Sequence, residues 1–248
     1  MTRIKAFFIH LGISIAIYLM LLYLIVFIWY PQPFFGADGG WQGIRLVTGI
    51  DLILGPVLTL IVFKAGKPGL KFDLALIGIL QLLALSWGVW TVYDQRTDLV
   101  VFADGAFYTL NPEEVAEVGT AAQNIIDHAD THPPYAYVDL PLDKVQRKAL
   151  VKSLFAGKPL FMHGELYAPL TADNRRKIPA QSLPIASLLN RSLRSQQALD
   201  DFLLHQQGKV DDYAFLPLHC RYEHLAMAVD RKDGQFVASL NINTAHLY

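Results

Sequence analysis

The chain has 248 residues, 53% of them apolar and only 17% charged, a balance foreign to an ordinary soluble protein. Residues 1–96 carry seven Lys or Arg against four Asp, and residues 97–248 carry 14 basic against 18 acidic side chains, so neither part has the basic field that nucleic-acid binding needs. Cys220 is the only cysteine, which excludes an intrachain disulfide and any CxxC redox or zinc pair.

The first apolar run, residues 6–30, is long enough to cross a bilayer with some tilt. It follows "MTRIK" like a signal peptide, but it is too long and ends in "WYPQPFF" with no small-residue cleavage pattern, so it reads as an uncleaved anchor. Trp29 and Tyr30 are expected at the far interface, where amphipathic rings belong. A second span is predicted over residues 43–63 and a third over 74–93. The loop between them, "KAGKPGLKFD", holds Lys64, Lys67 and Lys71, and Arg3 and Lys5 precede the first span. The excess of basic residues in these short segments places the N-terminus and the second loop in the cytoplasm, and three crossings then put residues 97–248 on the other side.

Asp51 lies within the second apolar run, where a carboxyl is costly without a partner. At 100° per residue, Thr48, Asp51, Gly55 and Thr59 fall within an arc of roughly 80°. The third span gathers Gly78, Gln81, Ala84 and Gly88 on one side, and the first places His10, Ser14 and Tyr18 four residues apart. Small residues let helices approach closely and polar ones hydrogen-bond across the gap, each for about 1 kcal/mol. These stripes either pack the three spans on one another or receive a transmembrane helix of another protein. Pro56 is expected to free the carbonyl of Leu52 and kink the helix. A proton-relay role would need a chain of ionisable groups, and besides Asp51 only His10 and the non-ionising amide of Gln81 are available.

Beyond residue 96 the composition turns ordinary. "LVVFADGAFYTL" predicts a hairpin turning at Asp104-Gly105. Asn111, Pro112 and two glutamates open a helix through "NPEEVAEVGTAAQNIIDH". "YAYVDL" reads as a strand, and "LDKVQRKALVKSLFAGKP" as an amphipathic helix stopped by Gly157 and Pro159. "PLFMHGELYAPL" is expected to be extended, helices to follow over 183–190 and 193–207, and the tail to form a strand and a hairpin turning near residues 231–234. The expected fold is three membrane helices (1–96) followed by a small α+β domain (97–248) with a mainly antiparallel sheet.

Catalytic patterns are weak. His128 and His132 flank Asp130 beside Asp127, but a solvated helix end accounts for them, and no metal or cofactor is expected. His219, Cys220 and His224 could form a thiol–imidazole set, yet alternation along a strand would split them between two faces. Arg175, Arg176 and Lys177 form a basic patch that reads as a solvated loop or a contact to lipid headgroups or an acidic partner.

The stretch "DLILGPVLTLIVFKAGKPGLKFDLALIGILQLLALSWGVW" resembles the type IV pilin accessory proteins. Asp51, Gly55-Pro56, Thr59, Lys67, Asp73, Gln81, Ala84-Leu85 and Gly88 match that family's pattern, as do the aromatic segment before the second span and the ending "PLHCRYEHLAMAVDRKDGQFVASL". The junction "DQRTDLV" departs from the Arg-Pro common in the family. The resemblance covers most of the first 95 residues and the last 30. It implies a bacterial inner-membrane protein, its larger domain periplasmic, that assists type IV pilin subunits without being an enzyme. The resemblance assigns no site residues; from the polar stripes themselves Thr48, Asp51, Gly55, Pro56, Thr59 and Gln81 are expected to face the pilin helix, with the bilayer around the spans and other pilus-assembly proteins as further partners. The alternative is a membrane-anchored periplasmic enzyme or sensor that uses His219, Cys220 and His224.

Overall fold

The computed structural model describes residues 2–189 and 192–247 and divides into two compact units, Met1–Arg96 and Thr97–Tyr248. In the first unit three helical stretches, Arg3–Trp29, Gly40–Val62 and Leu70–Asp94, are long and apolar enough to cross a membrane. The first consists of α1 (Arg3–Tyr23) and a wider π-helical turn, Leu24–Trp29. A short helix α2 (Phe34–Ala37) leads to the second stretch, built from α3 (Gly40–Val47), a π-helical segment Thr48–Leu54 and α4 (Gly55–Val62). The third is the single helix α5 (Leu70–Asp94).

The second stretch is interrupted where the sequence requires it. Pro56 has no N–H to donate, so an α-helical ladder cannot run unbroken through it. The chain widens to π geometry over Thr48–Leu54 and restarts as α4, with Pro56 in the first turn, where a missing N–H costs nothing. Tyr30, expected among headgroups, instead turns inward: it is buried and its hydroxyl donates to the Val92 carbonyl at 2.8 Å. Trp29 meets Tyr93 edge-on, with centroids 5.3 Å apart.

The second unit is a seven-stranded sheet with the order β4-β3-β1-β2-β5-β6-β7. Its strands are β1 (Leu99–Ala103), β2 (Ala106–Leu110), β3 (Tyr135–Val138), β4 (Tyr167–Pro169), β5 (Tyr213–His219), β6 (His224–Asp230) and β7 (Phe236–Leu240). The sheet is mixed rather than mainly antiparallel. Hairpins pair β1 with β2, β5 with β6 and β6 with β7, and β3 pairs with β4, all antiparallel. The central pairings β1–β3 and β2–β5 are parallel. Local patterning predicts hairpins well, but these two pairings depend on where the chain lands after long helical detours. The chain runs through α6 (Pro112–Val118) and α7 (Thr120–Asp127) before laying β3 outside β1. It runs through α8 (Lys144–Phe155), α9 (Ala172–Arg175), α10 (Ile185–Leu189) and α11 (Leu193–Gln206) on the way to β5.

Local signals decide most of these elements. Asp104 and Gly105 both take positive φ, as a tight two-residue hairpin turn demands. Asn111 and Glu114 form a reciprocal capping box at the start of α6. The single helix expected there breaks at Gly119, whose φ of 96° lies outside the helical region. Residues 160–166 form two 3-10 turns rather than an extended segment, with only β4 extended beyond them. The predicted helix over 183–190 is seen as α10; Asn190 lies outside the described residues.

The sheet curls. Tyr135 on β3 and Phe236 on β7 meet with ring centroids 4.4 Å apart although four strands separate them, a separation of about 24 Å in a flat sheet. Phe102, Phe107 and Tyr137 fill the same concave side. The other side carries two apolar clusters. Leu99, Val101 and Leu110 pack with Val115 and Ala122 of α6 and α7, while Phe215 and Ala228 pack with Leu199 and Phe202 of α11 and Leu188 of α10.

Candidate functional site

The π-helical segment presents Asp51 to both neighbouring spans. Its side chain is 1% exposed, and its Oδ1 accepts from the Ser14 hydroxyl of α1 at 3.2 Å and from the Gln81 amide of α5 at 2.6 Å. Two turns along, Thr59 of α4 hydrogen-bonds His10 of α1 at 2.6 Å. The polar stripes of all three spans therefore meet inside the unit. Gly55 permits that meeting, because a Cβ at this position would overlap the Gln81 amide. Pro56 and Gly55 are buried beside it, and Thr48, half-buried, donates its hydroxyl to the Ile44 carbonyl at 2.7 Å. Gly43 meets Val92, and Gly88 meets Leu46 and Ile50, so small residues set the α3–α5 approach as well.

The network is incomplete. Asp51 Oδ2 and Gln81 Oε1 are both buried acceptors without a hydrogen-bond donor among the described residues. In an apolar surrounding each such atom costs on the order of 1–3 kcal/mol. An arrangement of this kind accepts a hydrogen bond from an incoming donor.

Sequence reasoning brought Thr48, Asp51, Gly55, Pro56, Thr59 and Gln81 into one group; the structure bonds Asp51, Thr59 and Gln81 across the spans and sets Gly55 against Gln81 with Pro56 buried next to it, while the Thr48 hydroxyl turns back to its own helix. Sequence reasoning missed that Ser14 pairs with Asp51 and His10 with Thr59. The i, i+4 spacing of His10 and Ser14 was the available signal, but a stripe does not say which neighbour it faces. At the loop between the second and third stretches, Lys67 and Asp73 form an ion pair at 2.6 Å.

The other candidate residues lie in the second unit. His219 and His224 are directly opposed across β5 and β6, with ring nitrogens 3.0 Å apart, so they share a face rather than being split between two. The correction follows from pairing: His219 ends one strand and His224 begins its antiparallel neighbour. Burial, and then the neighbouring His224, push His219 down to about 4. Tyr108 stacks between His219 and Phe161, and Cys220 is buried in the turn that follows. His128 bonds the Asn124 carbonyl at 2.8 Å at the end of α7, and no group of three or more metal-ligating side chains occurs among the described residues. Arg176 lies 3.7 Å from Asp173, and Lys177 sits over the Tyr137 ring.

A family model described as fimbrial assembly protein FimB matches residues 1–39. The fimbrial assembly protein of serogroups C1 and C2 from Dichelobacter nodosus is 37% identical over 97 residues, which cover 38% of this chain and 73% of that protein. The chain belongs to the fimbrial assembly protein family. Similarity to other members runs the full length: the serogroup I and serogroup E1 fimbrial assembly proteins of the same organism are 27% and 26% identical over 96% of this chain and 95% of theirs. No solved structure matches. Family membership agrees with the resemblance to pilin accessory proteins read from the second and third spans, and it extends that likeness through the sheet unit.

Proposed function

We propose that this protein serves fimbrial assembly as a non-enzymatic, chaperone-like membrane protein that holds type IV pilin subunits before they are incorporated. Its three spans lie in the bacterial inner membrane with the N-terminus cytoplasmic and the sheet unit periplasmic. The spans receive the pilin's membrane helix and the sheet unit meets the pilin head. Other pilus-assembly proteins take over the subunit from there.

The observation that carries this reading is the pair of donorless acceptors, Asp51 Oδ2 and Gln81 Oε1, inside an otherwise apolar helix cluster. Joining the three spans accounts for the bonds made by Asp51 Oδ1 and the Gln81 amide nitrogen, but not for two further buried acceptors left without a donor. A guest helix that supplies a donor satisfies both atoms and so binds more tightly than lipid does. The curated relatives' shared name, fimbrial assembly protein, supports the process in which the guest is sought.

The test compares two replacements of Asp51 in cells that make the pilin. Asp51→Leu removes the carboxyl, and pilin co-purification and surface piliation fall together while the variant still accumulates in membranes. Asp51→Asn supplies an amide donor that satisfies Gln81 Oε1 from within, and pilin capture falls with the helices held at least as firmly. Unchanged capture and piliation in both variants overturns the proposal.

A further inference from the structure

We propose that α8 of the sheet unit is a lipid-contacting element that docks on an anionic bilayer surface. The helix runs from Lys144 to Phe155 and contains no buried residue. It lies over a groove of about 720 Å³ that separates it from the sheet, with Leu150 and Leu154 on the inward side and Tyr108 and Phe161 across from them. An element so loosely seated is held by something other than the core beneath it.

Its outward side has a specific chemistry. Lys144, Lys148 and Lys152 recur every four residues, and Val145 and Phe155 fall with them on an arc of about 100°. Phe155 is 90% exposed, Val145 is 76% exposed, and Leu142 just before the helix is 89% exposed. Residues 143–158 carry five cations against one acid, Asp143, in a unit that is net acidic as a whole. Even that carboxylate is engaged locally, accepting from the Val145 and Gln146 amides at 2.9 Å to cap the helix. Arg147 is likewise turned back, donating through Nε to the Pro141 carbonyl at 2.7 Å.

Charge complementarity selects the occupant. A row of lysines interleaved with unprotected apolar side chains matches the headgroup region, where ammonium groups meet lipid phosphates and Phe and Val enter the acyl boundary. Long lysine stems reach outward past the apolar tips they flank. An acidic protein surface would satisfy the lysines but would leave Phe155 and Leu142 against polar groups. The chain also keeps a bilayer within reach, because only residues 95–98 separate the third apolar helix from β1.

The experiment uses the full chain in nanodiscs of phosphatidylcholine with or without phosphatidylglycerol. An environment-sensitive thiol probe is placed by Phe155→Cys or, as a control, by Leu204→Cys on α11, where the side chain is also exposed. The unaltered chain, whose one thiol is buried, gives the labelling blank. With phosphatidylglycerol the probe at 155 shifts to the blue and is quenched by brominated acyl chains, while the probe at 204 stays in water. Adding Lys144→Gln, Lys148→Gln and Lys152→Gln shifts the docked-to-free ratio about a hundredfold toward free, from about fivefold per lysine. High salt has the same effect. A probe at 155 that stays in water in both lipids overturns the proposal. So does protection that appears only when an acidic peptide is added, or quenching that the three lysine replacements leave unchanged.

Discussion

In residues 1–96 the enclosed side chains include Ser14, Asp51 and Thr59, while Phe8, Phe27, Ile61 and Trp87 face outward. In residues 97–248 Phe107, Phe215 and Leu216 are enclosed, and outward apolar side chains gather mainly on and around α8. Both units enclose apolar side chains, Leu21, Ile25 and Val47 among them in the first, but the first also sends long apolar side chains outward along all three of its apolar stretches. Where lipid surrounds a helix, apolar burial gives no driving force between helices, so small residues and a few hydrogen bonds must join the spans. Where water surrounds a sheet, apolar burial supplies most of the driving force and polar groups can stay outside. The contrast explains why a deletion from the enclosed side should cost most in the sheet unit.

The largest effect expected from breaking this contrast is Phe215→Ala, which empties the centre of the apolar cluster beside α11. It should lower the stability of the sheet unit by about 3–5 kcal/mol, read as a shifted denaturation midpoint by fluorescence. If the cost is below about 1 kcal/mol, the cluster is not the core of that unit. Next is Asp51→Leu, which removes two interhelical hydrogen bonds of about 1 kcal/mol each. It also removes Oδ2, the acceptor proposed for the guest, and losing one such contact of about 1.4 kcal/mol should show as about a tenfold drop in co-purified pilin.

A pH effect sharpens the comparison from the polar side of the sheet unit. His219 is held neutral down to about 4 when folded, below the ordinary histidine value of 6.5. Between those values the unfolded chain binds the extra proton, so stability is full above about 6.5 and declines as pH falls towards 4. His219→Gln should flatten that part of the profile in a urea titration, and an unchanged slope would remove the assignment. The smallest effect is Ile61→Ala on the lipid-facing side of α4, which should leave thermal stability within about 0.5 kcal/mol because acyl chains fill the space.

Much of this architecture is legible in the residues themselves. Asp104-Gly105, the Asn111 cap and the Asp143 cap each specify a local conformation by one or two side chains, and each element forms where they place it. The grouping of Thr48, Asp51, Gly55 and Thr59 follows from helical period alone. What period cannot convey is partner choice. The pairing of Ser14 with Asp51, the parallel β1–β3 and β2–β5 contacts and the His219–His224 pair all join segments brought together by the fold. The π-helical segment is legible only in retrospect: Pro56 demands a break, but whether the chain kinks or widens depends on the helices it packs against.

The most direct measurement places a photoreactive amino acid at position 48, half-buried on the polar stripe, and at position 61 on the outward face, in cells that make the pilin. Illumination should join pilin to the chain through position 48 and not through position 61, and Asp51→Asn should abolish the product. Equal products from both positions, or none from position 48 with the pilin present in the same membranes, would contradict the account.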